Sequence, residues 1–270
     1  MEPKNKIDVD QPVERILKSA KYRNISEDLI RHLVRRELSS GRTSKQAIKA
    51  IKNKLHQIAG AYFAGKVRYE RWLAALTAAH AQSEEAFRAT CLKIMGRHAS
   101  TRERLDILET FYATTLADLR PIHSILDVAC GFNPLAIPWM SLADDATYYA
   151  GDIYQDMMAF LNAFFDLAGL RGQAKVGDVI TDIPRQQVEV ALVLKLLPLL
   201  EQVDRSAGIN LLRALKADHI LVSFPAQSLG GRNKGMAENY EARFRKLIQG
   251  EAWTVKRYEF STELAFLVRK

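Results

Sequence analysis

Ser124 to Pro134 reads SILDVACGFNP. An apolar run closes on an acidic residue, Asp127, and opens into a turn containing Gly131. A strand that ends this way suits the carboxyl edge of a parallel sheet, where a glycine lets the backbone approach a ligand. Working outward, TYYAGDI brings a second strand to Asp152, 21 residues beyond Gly131. An acidic residue at that place accepts hydrogen bonds from ribose hydroxyls. The next apolar run, KVGDV, ends near Asp178, where a carboxylate is suited to an adenine amino group. A single acidic strand end is most often a helix N-cap. Three on successive strands point instead to an adenosyl ligand lying along one sheet edge. The GxGxxG and Walker A patterns are absent, which weakens dehydrogenase and nucleotide-hydrolase readings.

The surrounding texture is short apolar runs alternating with helical stretches. His123 to Ala129, Thr147 to Ile153, Gln173 to Val179, Val188 to Leu194 and His219 to Phe224 are expected strands of a doubly wound α/β sheet. TVKRYEF and ELAFLVRK, separated by Ser261 and Thr262, form a closing hairpin rather than another crossover. Periodicity alone does not separate this layout from other Rossmann-like folds.

The first hundred residues are helical. Ser26 caps EDLIRHLVRREL, which places Leu29, Ile30, Leu33, Val34 and Leu38 on one stripe. SKQAIKAIKNKLHQIAGAYF repeats the pattern with Ala47, Ile48, Ile51, Leu55 and Ile58 inward. Further helices are expected over Tyr69 to Ala79, Glu84 to Met95 and Thr101 to Leu119, the last bridging two domains. Residues 1–105 hold 22 basic and 11 acidic side chains, a net +11, whereas the remainder of this +8 chain is −3. A basic recognition module joined to a mildly acidic working domain fits that asymmetry, with nucleic acid as the partner. A solvated, lysine-decorated helical surface fits it too.

With 270 residues, 48% of them hydrophobic and 26% charged, the chain is an ordinary globular one. Two cysteines, Cys91 and Cys130, make no disulfide framework. No stretch approaches the roughly 18 to 20 apolar residues of a membrane span, so a cytoplasmic protein is expected.

Three strings carry a specific resemblance: LDVACGFNPLAIPWM (Leu126 to Met140), ALVLKLLPLLE (Ala191 to Glu201) and VSFPAQSLGGRNKGM (Val222 to Met236). Together with HASTRERL, His98 to Leu105, they resemble the aminoglycoside-resistance methyltransferases of 16S ribosomal RNA, which methylate N7 of a decoding-site guanine. The generic methyltransferase glycine triplet is not met, because Cys130, Phe132 and Asn133 occupy that loop; this variant is the family's own form.

The resemblance implies a class I S-adenosylmethionine-dependent methyltransferase domain, Rossmann-like, over residues 105–270. A basic α-helical RNA-binding domain would occupy 1–104. It implies S-adenosylmethionine as cofactor and 16S rRNA within the 30S subunit as substrate, handled by a monomer without membrane or metal. The cofactor pocket would draw on His98, Ser100, Thr101 and Arg104, with Glu103 in the same segment and Arg104 pairing with the methionyl carboxylate. Asp127, Ala129, Gly131, Asp152, Ile153, Asp178 and Val179 would line the sheet edge, and Phe63 would cover the adenosine. Leu194 and Lys195 would border the reactive methyl. Arg35, Lys49 and Lys52, together with Arg232 and Lys234 in a glycine-rich loop, would contact RNA. Trp139 and Tyr154 are possible platforms for a flipped base. Guanine N7 presents a lone pair without a proton, so no general acid or base is nominated. Methylation of a neighbouring adenine, or a non-catalytic ribosome-binding protein of the same fold, remain alternatives.

Overall fold

The structure, a computed structural model, describes residues 8–56, 66–180, 182–226 and 235–270. Its helices and strands run α1 (Asp10–Leu17), α2 (Glu27–Ser39), α3 (Ser44–Leu55), α4 (Tyr69–Gln82), α5 (Glu84–Met95), α6 (Ala99–Arg102), α7 (Leu108–Thr115), β1 (Ile122–Val128), β2 (Leu142–Asp152), α8 (Gln155–Leu167), β3 (Arg171–Val176), β4 (Gln187–Leu194), α9 (Leu197–Val203), α10 (Ala207–Ala214), β5 (Lys216–Pro225), α11 (Met236–Leu247), β6 (Thr254–Glu259) and β7 (Glu263–Arg269). The strands form one sheet in the order β3-β2-β1-β4-β5-β7-β6. β1 to β5 pair in parallel, whereas β7 is antiparallel to both β5 and β6. The five expected strands and the closing hairpin are all present, with β7 lying inside the sheet and β6 at its edge.

Strand periodicity divides the core between the two sheet faces. In β4, Val190, Leu192 and Leu194 face the cluster built with α4, α5, α7 and α8, while Ala191 and Val193 face the cluster built with α9, α10 and α11. Burial on both faces explains why VALVL reads as an unbroken apolar run.

At the N-terminus, Ser26 Oγ accepts from Leu29 N at 3.4 Å and starts α2. Thr43 and Gln46 form a reciprocal capping box that starts α3. Leu29, Ile30, Leu33, Val34, Ile51 and Leu55 bury into a third core with Val13 and Ile16 of α1. Leu38 and Ile48 pack at its margin, and Ile58 lies outside the described residues. By contrast, α4 and α5 supply Leu76, Phe87, Ile94 and Met95 to the core under the sheet. Thus α1 to α3 pack on a core of their own, whereas α4 and α5 pack on the core under the sheet.

The helix expected over Thr101 to Leu119 is not continuous. It divides into α6, a 3-10 turn at Leu105–Ile107, α7 and a second 3-10 turn at Ala117–Leu119. The cause is local and polar. Thr101 Oγ1 donates back to the carbonyls of Met95 and His98, at 2.6 and 3.1 Å. Arg104, just beyond, turns fully inward to a partner 159 residues away, which a helix facing solvent would not permit.

Candidate cofactor pocket

At the carboxyl edge of β1, β2 and β4 the chain forms a cavity lined by Ala129, Asp152, Ile153, Leu194 and Lys195. Gly177 to Ile180 close one side, and His98 and Ser100 another. The turn after β1 makes the floor. Ala129 and Gly131 both take φ near +52°, the left-handed region that glycine alone occupies without strain. A Cβ on Gly131 would lie 2.8 Å from His98 Cε1, so the close seat of the histidine requires glycine there as well. Burial pushes the His98 imidazole down to about 4, helped by the nearby cations Lys195 and Arg102. The ring is neutral at physiological pH.

Asp152 ends β2 with one oxygen 3.0 Å from Gly131 N and the other 2.7 Å from its neighbour Ile153 N. Both backbone groups donate to the carboxylate, which ties the glycine turn to the second strand. Burial nevertheless pushes the Asp152 carboxyl up to about 6. Ribose hydroxyls donating to it would favour the ionised form, so ligand binding releases a proton below that pH. The affinity for S-adenosylhomocysteine is expected to rise with pH up to about 6 and to level off above 7. Titration calorimetry across pH 5 to 8 checks this, and an affinity that falls with rising pH would exclude Asp152 as the ribose acceptor. Asp178 is 6% exposed and sits in the turn two residues beyond β3, accepting from Ile180 N at 3.2 Å.

Lys195 interrupts the apolar β4 run because it leaves the strand in a left-handed conformation, φ 57°, and turns to the cavity. Its ammonium donates to Glu103 Oε2 at 2.9 Å and to the Ser100 carbonyl at 3.2 Å. Glu263 of β7 lies 3.3 Å away. Glu263 also takes Arg104 in a two-pronged pair, at 2.6 Å in its shortest contact, with both side chains fully buried. Burial alone would raise the Glu263 carboxyl, but Arg104 and Lys195 hold it below its ordinary value.

The structure thus separates the expected site residues into two sets. His98, Ser100, Ala129, Asp152, Ile153, Asp178, Val179, Leu194 and Lys195 line the cavity, and Gly131 forms its turn. Thr101, Arg104 and Asp127 lie behind it. Arg104 donates to Asn133 Oδ1 at 2.9 Å besides holding Glu263. Asp127, 1% exposed, accepts from Asn133 Nδ2 at 2.9 Å and from Tyr148 at 2.7 Å. Burial pushes its carboxyl up to about 7. These residues brace the 129–134 loop from within. Phe63, Arg232 and Lys234 lie outside the described residues. Trp139 stacks under Arg88, 4.6 Å from guanidinium carbon to ring centroid, away from the cavity, whereas Tyr154 lines it. The sequence reading missed Leu29 and Leu33 of α2 and Leu196, Leu199 and Leu200 at the start of α9, all of which also line it.

Residues 18–267 match the family model described as Ribosomal RNA methyltransferase (FmrO). The chain belongs to that family. Relatives named 16S rRNA (guanine(1405)-N(7))-methyltransferase include one from Frankia casuarinae, 37% identical over 97% of this chain and 94% of the relative. Another, from Serratia marcescens, is 33% identical over 98% of this chain and 99% of its own length. Among solved structures, the 16S rRNA methyltransferase RmtF in complex with S-adenosyl-L-homocysteine superposes with a TM-score of 0.84 at 28% identity, covering 98% and 99% of the two chains. The 16S rRNA methylase RmtB gives 0.81 at 28% identity, covering 98% and 99%. The seven-stranded sheet of this chain is thus a class I methyltransferase domain carrying a helical N-terminal module.

Proposed function

We infer that the protein is an S-adenosylmethionine-dependent 16S rRNA methyltransferase that modifies N7 of the decoding-site guanine numbered 1405 in its relatives' name and confers aminoglycoside resistance. The observation that carries this reading is the cavity with Asp152 and Asp178 on neighbouring strand ends, and the Gly131 turn tied to Asp152 from the strand on its other side. That pair of acceptors suits a neutral adenosyl group whose ribose hydroxyls and exocyclic amine donate.

S-adenosylmethionine supplies an electrophilic methyl on a sulfonium. The chain's part is orientation. Asp152 and Asp178 hold the nucleoside end, while Leu194 and Lys195 border the place where a base would meet the methyl. Alignment of this kind supplies on the order of 7 to 11 kcal/mol of a barrier. N7 carries no proton, so the neutral His98 has no proton to remove and acts as packing against Gly131. Arg104 supports the methionyl end indirectly, through Glu263 and Lys195. A fixed positive charge on the methylated base would repel a cationic aminoglycoside.

We propose that RNA recognition resides in residues 1–104 and transfer in 105–270, with the His98–Ser100 wall crossing that line. On the recognition side α1 to α3 present Arg35 and Lys49 to solvent, and Lys52 half-buried with its carbonyl accepting from Tyr22. Arg232 and Lys234, in the glycine-rich stretch of sequence, would add two phosphate contacts. The protein would act as a cytoplasmic monomer without a metal; among the described residues no helix is long and apolar enough to cross a membrane. Reversing Lys49 and Lys52 to Glu is expected to weaken 30S binding and to reduce the slope of log affinity against log salt by about 1.5. Lys49→Glu alone should account for more than half of the change. An unchanged slope would assign these charges to solvation.

The test of the function is incubation with 30S subunits and labelled S-adenosylmethionine, followed by borohydride and aniline cleavage, which reports N7-methylguanine. Cleavage at the decoding-site guanine is expected. Methyl incorporation without it would move the target to another base.

A further inference from the structure

The N-terminal module does not merely sit beside the transfer domain; it is stitched to the strand end that carries the ribose carboxylate. Ile25 and Tyr154 form an antiparallel bridge, with Ser26 N donating to the Ile153 carbonyl at 2.7 Å. Gln155 N donates to the Asn24 carbonyl at 2.8 Å, and Asn24 Nδ2 donates to Asp156 at 2.7 Å at the start of α8. These contacts fall on the four residues that follow Asp152. Ile153 and Tyr154 pack against the module's core and line the cavity at the same time.

The helix that begins at this seam, α2, then runs along the cavity. Leu29 and Leu33, one turn apart on its inner face, are 2% and 1% exposed and belong to both the module's core and the cavity wall. Across the opening stand Leu196, Leu199 and Leu200. An adenosyl group held by Asp152 and Asp178 would thus lie between apolar side chains of two different domains. The outer face of the same helix carries Arg35 and Arg36, both exposed.

We propose that α2 is a wall of the cofactor pocket, with Leu29 and Leu33 as cofactor-contacting side chains, and that S-adenosylmethionine and RNA therefore bind with positive coupling. The inference rests on the function proposed above and deepens it. A ligand gripped between the two units favours the seated arrangement of the module, and the seated arrangement is the one that fixes the direction of its basic face. Linkage makes the effect reciprocal: whatever factor the cofactor adds to RNA affinity, RNA adds to cofactor affinity.

S-adenosylhomocysteine is the probe. The full-length protein should bind 30S subunits about fivefold or more tightly in its presence, and saturating 30S should tighten S-adenosylhomocysteine by the same factor. On the protein alone, amides of 27–36 should gain protection from hydrogen exchange when S-adenosylhomocysteine is added. Leu33→Ala should lose about tenfold in S-adenosylhomocysteine affinity, and Asn24→Ala, outside the cavity, should reduce the coupling factor while leaving the intrinsic affinity nearly unchanged. If Leu33→Ala unfolds the module, the exchange and coupling measurements on the unaltered protein decide alone. Equal 30S affinities with and without S-adenosylhomocysteine, or unaltered exchange in α2, would overturn the proposal. A protein that fails to bind S-adenosylhomocysteine at all would instead overturn the methyltransferase reading.

Discussion

Asp152→Ala is expected to raise the dissociation constant for S-adenosylhomocysteine by about 100-fold or more, while binding to 30S subunits measured without cofactor stays unchanged. The side chain has two duties. It would accept from ribose hydroxyls, and hydrogen bonds to a charged acceptor contribute about 1.5–3 kcal/mol each. Two such bonds already exceed the roughly 2.7 kcal/mol that a 100-fold change represents. It also anchors Gly131 N and Ile153 N, so alanine releases the turn on which the nucleoside would rest. Asp152→Asn keeps one acceptor oxygen and should lose less. Calorimetry with S-adenosylhomocysteine measures the first effect and filter binding of 30S the second. Equal loss of both would identify Asp152 as a structural residue of the whole chain.

The second large effect is on stability. Glu263→Ala leaves the fully buried Arg104 guanidinium without its paired carboxylate and removes a neighbour of Lys195. Deleting one partner of a buried pair typically costs about 3–5 kcal/mol, because the remaining charge stays desolvated. At about 2–4 °C per kcal/mol, the melting temperature should fall by about 6–20 °C. The double variant Arg104→Met with Glu263→Leu removes both charges and fills the space, so it should recover most of the loss. Its methyl transfer should remain impaired, since Lys195 keeps only Glu103 and the Ser100 carbonyl. A fall below about 1 kcal/mol for Glu263→Ala would mean that water reaches the pair and that it behaves like an exposed one.

How far these features could be read from the chain depends on the range over which each is encoded. Strand ends are local: an apolar run, an acidic residue and a turn former stand side by side, and Asp152 and Asp178 both reached the cavity from that signal alone. Asp127 carries the same local signature yet faces inward to Asn133 and Tyr148, because the pattern marks where a strand stops and not which way its last carboxylate points. The charge of Lys195 inside an apolar run marked a cleft correctly. Glu263 and Arg104 gave no such sign, since their meaning lies in a pairing across 159 residues. Leu29 and Leu33 obey the helical stripe as core residues do, and one side chain serving two surfaces at once leaves no trace in periodicity. The unbroken helix expected after Thr101 failed for the same reason as Arg104: a distant partner overruled the local preference.

The position of β7 inside the sheet carries a consequence for how the molecule is assembled. β5 is parallel to β4 on one side, but its other edge is covered only by β7, whose residues Leu264 to Val268 are almost wholly buried. Pairings between segments so far apart in sequence form slowly, and until they form an apolar strand edge stands open to other chains. The same step delivers Glu263 to Arg104 and Lys195. Completion of the sheet and completion of the charged cluster behind the pocket are thus expected to coincide. Chains that stall before it should be inactive and prone to aggregate, and a prolyl- or disulfide-independent slow phase in refolding should coincide with the recovery of cofactor binding.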